Sequence, residues 1–303
     1  MKNLKITTAE IAKICGVSQG TVDRAINNRS DIKAETKYRI LEVARKYGYR
    51  EKIEGAPDGV KGTVGIVVFN LNNEYFSDLI TELEYVFNKE GYGTVVMMSH
   101  YDKQREAECI RNLYNMGVKA IVLCPVNGGC EFENYLSLFD LPVICVGNRL
   151  SFLPYVGVDD FEAMKEITLD SLEKEYENIV YFSPALRYKD APAQRLRFEG
   201  FLNALGDRNF ECVTDIEDIK KCYQNKTVII CSNDYYALKV YFKGTNAEIT
   251  GFDNIKTVRD HKLPITTVGY SICEMAGYVS DIVFGKADGS KIVKHHIVKE
   301  NSK

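Results

Sequence analysis

Apolar residues change their spacing near residue 60, and this change divides the sequence into two architectures. Before that point they recur three and four residues apart in short stretches, which is the spacing of amphipathic helices. After it, uninterrupted apolar runs alternate with stretches of helical spacing, which is typical of buried strands joined by helices. The sequence therefore predicts a helical head (1–50), a linker (51–62) and a larger α/β body (63–303).

Three short helices are predicted in the head. Thr7 and Glu10 form a capping box at the start of the first helix. Ser18 is a natural N-cap for a second helix over 19–26, and a third helix covers 34–47. Two short helices joined by a Gly-Val-Ser turn and braced by a third indicate a helix-turn-helix.

The second helix of such a motif enters the major groove and presents its first residues to base edges. Gln pairs well with adenine and Arg with guanine, so the exposed candidates are Gln19, Thr21 and Arg24. Phosphate contacts, which position a protein without reading sequence, are expected from Thr7, Asn27, Asn28 and Arg29. A three-helix protein-binding module with solvated charges is the alternative.

The body alternates strands and helices in two successive sets. Such alternation predicts parallel sheets with helices on both faces, and two sets predict two doubly wound lobes. Helices are expected on a face formed by Phe76 to Phe87, near 192–205 and near 235–242. Strands are expected at 63–69, 94–98, 119–124, 142–146, 178–182, 227–231, 248–252 and 265–268.

Polar and aromatic side chains follow five of these strands. Ligands of open α/β sheets bind beyond the carboxyl ends of the strands, and amides, carboxylates and guanidinium groups can hold sugar hydroxyls there while aromatic rings cover apolar faces. The alternative is that these residues only form turns and helix caps. The set comprises Asn72, Asn73, Tyr75, Phe76, Asn148, Arg149, Arg197, Asn233, Asp234 and Asp253.

The net charge of −3 conceals an asymmetry. Residues 1–54 carry twelve Lys or Arg against seven Asp or Glu, a balance of +5 that leaves −8 on the rest. A basic head on an acidic body favours contact between the head and a polyanion such as DNA.

Several classes of protein are not expected from the sequence. It has no apolar run of 18 residues for a membrane span and no apolar core of a secretory signal near its start, so we expect a cytoplasmic protein. Nine cysteines without CxxC spacing are interpreted as reduced core residues. Phosphate-binding loops, nucleophile elbows and zinc-protease motifs are missing, so we expect no enzyme, cofactor or metal site.

The run from Ile6 to Tyr49 resembles the DNA-binding head of the lactose-repressor (LacI/GalR) family. The shared positions are Thr8, Ile11, Ala12, Gly16, Val17, Ser18, Thr21, Val22, Arg24, Ile26 and Asn27. The resemblance implies a dimer on a pseudo-palindromic operator, with Gln19 and Gly20 at the base-choosing positions. It adds Thr8, Ser18 and Gly20 to the predicted DNA contacts, although Gly20 has no side chain and Asp23 stands where the family often has Ser.

The linker departs from that family. Relatives continue with Pro-Asn and a hinge helix whose leucine enters the minor groove. Here the segment reads REKIEGAPDGVKG, with Ile53 as the only bulky apolar residue before Gly55, so a hinge wedge is not predicted.

The body resembles the sugar-binding domain of the same repressors and periplasmic sugar-binding proteins. The motifs that carry this similarity are LNNEYF (71–76), RFEGF (197–201), SNDYYAL (232–238) and GFDN (251–254). Glu74 replaces the usual Pro, Tyr270 stands where Gln is common, and the stretch 207–225 is shorter than usual. Together with the strand-end argument, the resemblance implies a ligand site formed by Asn73, Tyr75, Phe76, Asn148, Arg149, Arg197, Asn233, Asp253 and Tyr270.

These features predict a homodimeric transcription regulator that acts as a repressor and whose affinity for operator DNA depends on a sugar or sugar derivative. A solute-binding protein for sugar uptake and a ligand-dependent activator or corepressor-type regulator are the alternatives. We expect a dimer rather than a tetramer because no leucine heptad follows Lys299.

Overall fold

In the computed structural model, the capping residues that the sequence predicts lie at the ends of the first helices. The structure describes residues 6–26, 29, 31–47, 49, 61–187, 192–220, 223 and 226–299. The chain divides into two units, Met1–Asp58 and Gly59–Lys303. The predicted contacts Asn27 and Asn28, and most of the linker (51–60), lie outside the described residues.

The first unit contains helices α1 (Thr8–Cys15), α2 (Gln19–Ile26) and α3 (Ala34–Lys46). The Thr7 hydroxyl accepts from the Glu10 N–H while the Glu10 carboxylate accepts from the Thr7 N–H, which is the predicted capping box. The Ser18 hydroxyl accepts from the Thr21 N–H at the start of α2. The apolar sides of the three helices meet in one small core around Ile11, Val22 and Ile40.

The second unit contains two six-stranded sheets, which we call lobe 1 and lobe 2. Lobe 1 has the strand order β11-β5-β4-β3-β1-β2. Its strands are β1 (Gly62–Val68), β2 (Tyr92–Met98), β3 (Ile121–Leu123), β4 (Val143–Val146), β5 (Tyr155–Gly157) and β11 (Lys291–Ile292), and its helices are α4 (Glu74–Lys89), α5 (Lys103–Asn115), α6 (Cys130–Leu136) and α11 (Ile272–Val283).

Lobe 2 repeats this arrangement with the order β12-β10-β9-β8-β6-β7, in which only β12 runs antiparallel to its neighbour. In both lobes the order reverses beside the first strand of the lobe, which is where doubly wound sheets open a crevice for ligands. Its strands are β6 (Asn178–Phe182), β7 (Glu211–Val213), β8 (Thr227–Cys231), β9 (Glu248–Phe252), β10 (Ile265–Tyr270) and β12 (His295–Val298), and its helices are α7 (Asp160–Ser171), α8 (Pro192–Leu205), α9 (Asp234–Lys243) and α10 (Lys256–Asp260).

The chain passes between the lobes three times, each time through one or two residues. Val158 and Asp159 connect β5 to α7, and Ser271 connects β10 to α11. The third connection, residues 293–294, joins β11 to β12. The α11 helix packs against α4 and so belongs with lobe 1, although the strand before it belongs to lobe 2.

The predicted fold class is confirmed, and the differences concern short strands. Strands β5, β7 and β11 have two or three residues each, too few to show a periodic pattern in sequence. In the stretch 207–225, which is shorter than usual for the resemblance, β7 is present, and the described residues after it form a 3-10 turn (Ile216–Asp218).

Two further observations concern surface and core. The described cysteines are all free, but Cys130, Cys212 and Cys273 are exposed, so the expectation that the cysteines fill the core is wrong for these three. Within the described ranges, no helix combines the length and apolarity that crossing a bilayer requires.

The α7 and α8 helices touch at Gly200, where a Cβ would collide with the Phe161 carbonyl oxygen. We expect Gly200→Ala to lower the free energy of unfolding by about 1–3 kcal/mol, because backbone cannot move aside as a flexible side chain can. Gly277 in α11 is the matched control, since a Cβ there meets nothing within 4 Å. Gly277→Ala should be neutral or stabilising by up to about 1 kcal/mol. Urea denaturation measures both, and equal effects would contradict the close approach.

Candidate functional site

A cavity of about 620 Å³ lies between the two lobes, at the carboxyl ends of their strands. Lobe 1 contributes the residues after β1 and β4, and lobe 2 contributes those after β8 and β9 together with one face of α8. Its volume falls in the range of small-molecule sites. Eight of the nine predicted ligand residues line it: Asn73, Tyr75, Phe76, Asn148, Arg197, Asn233, Asp253 and Tyr270.

Arg149 is the exception. Its side chain is exposed and lines a separate cavity of about 210 Å³ with Glu133 and Cys130. Asn148 and Arg149 are adjacent in sequence, and only Asn148 is buried and lines the larger cavity. Asn148 lines the smaller cavity as well, so the strand-end position places Asn148 in both cavities and Arg149 in the smaller one alone.

The Arg197 guanidinium forms the centre of the site. It is buried and donates through Nε to Asp160 Oδ1 at 2.7 Å, through Nη1 to the Ser232 carbonyl at 2.7 Å, and through Nη2 to Asp253 Oδ1 at 3.4 Å. The face of the guanidinium lies 3.5 Å from the centroid of the Phe252 ring. One side chain thus ties together the start of α7 and the ends of β8 and β9.

Burial and the Arg197 charge shift the pKa values of the two acids in opposite directions. Burial raises the pKa of Asp160 to about 6, and the Arg197 charge limits the rise. Burial also raises the pKa of Asp253, against the lowering effects of Arg197 and of the Tyr270 hydroxyl. The pKa of Arg197 is itself raised, because its two acidic neighbours outweigh the effect of burial. One guanidinium therefore faces two carboxyl groups, whose oxygens make the wall rich in hydrogen-bond acceptors.

Aromatic rings cover the rest of the wall. The Tyr270 hydroxyl donates to Asp253 Oδ1 at 2.8 Å, and its ring meets the Tyr75 ring edge-on with centroids 6.2 Å apart. The Tyr75 ring in turn meets the Phe76 ring at 5.1 Å. Ring faces next to paired polar groups are the surfaces that a sugar ring requires.

Two asparagines line the cavity and also cap helices. The Asn73 amide oxygen accepts from the Tyr75 N–H at 3.1 Å, and the Asn233 amide oxygen accepts from the Tyr236 N–H at 2.9 Å. These two residues therefore do both things that the sequence offered as alternatives: they cap helices, and they line the cavity. Each cap uses the oxygen and leaves the amide nitrogen as a donor.

The Asn148 amide is engaged at both ends within the protein. Its nitrogen donates to the Pro125 carbonyl at 2.9 Å, and its oxygen accepts from the Ala193 N–H at 3.1 Å. Because Asn148 belongs to lobe 1 and Ala193 to lobe 2, this amide joins the lobes at the cavity wall.

Sequence reasoning missed several lining residues, of which Asp160 is the most important. It follows β5, a strand that the sequence pattern did not reveal, so its strand-end position could not be recognised. Other lining residues that were not predicted are Phe69, His100, Tyr101, Lys103, Tyr155, Gln194, Tyr236 and Lys239.

In the first unit, the predicted DNA contacts Gln19, Gly20 and Arg24 on α2 are exposed, whereas Thr21 is half-buried. Gln19 Nε2 donates to Thr8 Oγ1 at 2.9 Å, joining α2 to the start of α1. Arg24 donates to the Gly20 carbonyl and pairs with Asp31 at 3.2 Å. Of the predicted phosphate contacts, Thr7 is occupied by the capping box and Arg29 is exposed.

Comparison with known protein families gives two matches along the chain. The family model "Bacterial regulatory proteins, lacI family" matches residues 7–51. The model "Periplasmic binding proteins and sugar binding domain of LacI family" matches residues 61–257.

Curated relatives align over part of their length. Catabolite control protein A of Staphylococcus aureus is 29% identical over 175 residues, which are 56% of this chain and 53% of that protein. The regulator IdnR of Escherichia coli is 25% identical over 217 residues, 68% of this chain and 62% of that protein. The chain thus spans between about half and three fifths of the length of these relatives.

Solved structures share the fold at low identity. The lac repressor dimer bound to operator and an anti-inducer has a TM-score of 0.65 at 16% identity, covering 97% of this chain and 98% of that one. The regulator CelR with cellobiose has a TM-score of 0.62 at 18% identity, covering 98% and 100%. A protein from Alkaliphilus metalliredigens with D-xylulofuranose scores 0.67 at 19% identity, covering 79% and 98%.

Substitution of the two arginines predicted for the site should separate their roles. Arg197→Ala leaves two buried acids without their cation, so we expect it to lower the free energy of unfolding by about 3–5 kcal/mol. Arg149→Ala removes an exposed charge and should change it by less than about 0.5 kcal/mol. Chemical denaturation of both variants tests this, and a mild Arg197→Ala variant would show that the network does not hold the site together.

Proposed function

Because the chain belongs to the LacI family of bacterial regulatory proteins, we propose that it is a transcription regulator whose affinity for operator DNA is set by a sugar bound between its lobes. One observation carries this proposal: the cavity is built from both lobes around the Arg197 network and is lined by eight of the nine residues predicted to hold a sugar. The helix-turn-helix in the same chain would bind the operator DNA.

The wall chemistry supports a polyhydroxylated effector. Asp253 and Asp160 offer carboxylate oxygens, Asn73 and Asn233 offer amide N–H donors, and Tyr75 offers a ring face. Vicinal hydroxyls both donate and accept, so they can satisfy such a mixed set, whereas an apolar ligand would leave it unpaired. The ligands of similar proteins agree in kind, since cellobiose and D-xylulofuranose are sugars.

Control of DNA affinity follows from the position of the cavity. A ligand that contacts both lobes stabilises whichever lobe arrangement places its partners together, and it can shift the balance only by its difference in affinity for the two arrangements. In a homodimer such a shift changes how two DNA-binding units meet two half-sites. We infer a repressor acting on chromosomal DNA in the cytoplasm, released or engaged by its sugar.

Catalysis is not part of this proposal. The acids that line the cavity accept hydrogen bonds from the Arg197 guanidinium and, at Asp253, from the Tyr270 phenol. A carboxylate held in this way is suited to accepting hydrogen bonds from a ligand that leaves unchanged.

Arg24→Ala should remove sequence-specific DNA binding. We expect the affinity for an operator fragment, measured by gel shift at fixed salt, to fall ten- to a hundredfold, because a bidentate base contact contributes about 1–3 kcal/mol. Lys13→Ala is the matched control: it removes the same charge from the last turn of α1 and should weaken operator and random DNA equally and slightly. Unchanged specificity in Arg24→Ala would refute the groove assignment.

A thermal-shift screen of pentoses, hexoses and their acid forms should identify the effector class. A sugar at about a hundred times its Kd stabilises the folded protein by about 2.7 kcal/mol, which corresponds to several degrees in Tm. Asp253→Asn should abolish this shift, whereas Glu84→Gln, an exposed change on α4, should keep it. A panel without any shift, or a full shift in Asp253→Asn, would argue against this cavity as the sugar site.

A further inference from the structure

Two hydrogen bonds join the lobes outside the cavity. Glu74, the first residue of α4 in lobe 1, accepts from the Thr257 N–H at 2.9 Å and from the Thr257 hydroxyl. Thr257 lies in the first turn of α10 in lobe 2, 183 residues further along the chain. One carboxylate therefore holds two donors of the opposite lobe.

We propose that Glu74 is a positioning residue that holds the lobes closed and sets how easily they part, without touching whatever the cavity binds. Its neighbours Asn73 and Tyr75 line the cavity, but Glu74 is not among the lining residues. Its two interlobe bonds can therefore form whether the cavity is filled or empty, which distinguishes Glu74 from a ligand contact.

The Thr257 N–H has a particular need for this partner. The first N–H groups of a helix lack carbonyl partners within the helix and depend on a cap. Ile255, at the N-cap position of α10, provides no side-chain acceptor. When the lobes part, Thr257 must exchange a charged acceptor for water, and hydrogen bonds to charged groups contribute more than neutral ones.

Charges around the bond have complementary signs. Asp78, one turn after Glu74 on α4, lies within electrostatic range of Arg259 and Lys256 on α10. An acidic edge of lobe 1 thus faces a basic edge of lobe 2, and this attraction favours the same closed arrangement as the Glu74 bonds.

A third interlobe hydrogen bond, at the cavity wall, gives an independent reporter of closure. The Ala193 N–H at the start of α8 donates to Asn148 of lobe 1, so this amide loses its partner when the lobes open. It lies on a different helix from Thr257. Opening of the lobes should expose both amides, whereas loss of a local cap should expose only Thr257.

Hydrogen exchange of the full-length protein, followed by mass spectrometry without ligand, tests the proposal. In Glu74→Ala, which removes both bonds, we expect peptides from the start of α8 (192–199) and from α10 (255–261) to exchange at least about tenfold faster than in wild type, since loss of even one charge-assisted hydrogen bond shifts an equilibrium by about that factor. Small-angle scattering should show a larger radius of gyration.

Three further variants test whether the effect comes from the two interlobe hydrogen bonds. Glu74→Gln keeps one acceptor and Thr257→Val keeps one donor, so both should lie between wild type and Glu74→Ala. Glu84→Ala, an exposed carboxylate on the same helix, should behave as wild type. If Glu74→Ala does not fold, as judged by thermal melting, the two intermediate variants carry the same comparison.

Faster exchange confined to 255–261, with α8 and the scattering unchanged, would reduce Glu74 to a local helix cap and overturn the proposal, as would an equal effect in Glu84→Ala. The bond itself can be tested whether or not the protein regulates transcription. Its regulatory consequence, a raised effector requirement in Glu74→Ala, rests on the proposed function. A failed sugar screen with faster α8 exchange would therefore count against the proposed function alone.

Discussion

A single buried guanidinium determines how the wall of the cavity between the lobes can be built. Arg197 is the cation at the meeting point of α7, β8 and β9, and it satisfies Asp160, Asp253 and the Ser232 carbonyl at once. Removing charges from water is costly, and a buried ion network persists only when nearly every donor and acceptor is paired. The network therefore determines which wall atoms remain available, and it makes that wall suitable for hydroxyl groups.

Sequence reasoning succeeded where one pattern covered many residues. The helix-turn-helix follows from capping and apolar spacing, and α2, α8, β6, β8 and β9 lie at the positions that these patterns predict. The strand-end rule brought Asn73, Asn233 and Asp253 to one cavity because parallel strands share a carboxyl edge. Those features depend on local propensity and on topology, and both can be predicted from the order and spacing of residues in the sequence.

The remaining features depend on contacts between distant segments. Asp160 follows a three-residue strand, too short to be seen in sequence, and the strand-end position of Arg149 does not reveal that its side chain is exposed and lines only the smaller of the two cavities. Glu74 stood out in sequence only as a departure from a familiar motif, and the partner of its carboxylate becomes visible once both lobes are folded. Sequence spacing contains no information about such pairings.

The short connections between the lobes also limit how the molecule can move. Each of the three segments has one or two residues, so each can span only a few ångströms. Tethers of that length let the lobes change their angle, but sliding one lobe past the other would overstretch at least one backbone. Movement between the lobes is therefore confined to bending about a nearly fixed edge, and side chains far from that edge travel furthest for a given bend.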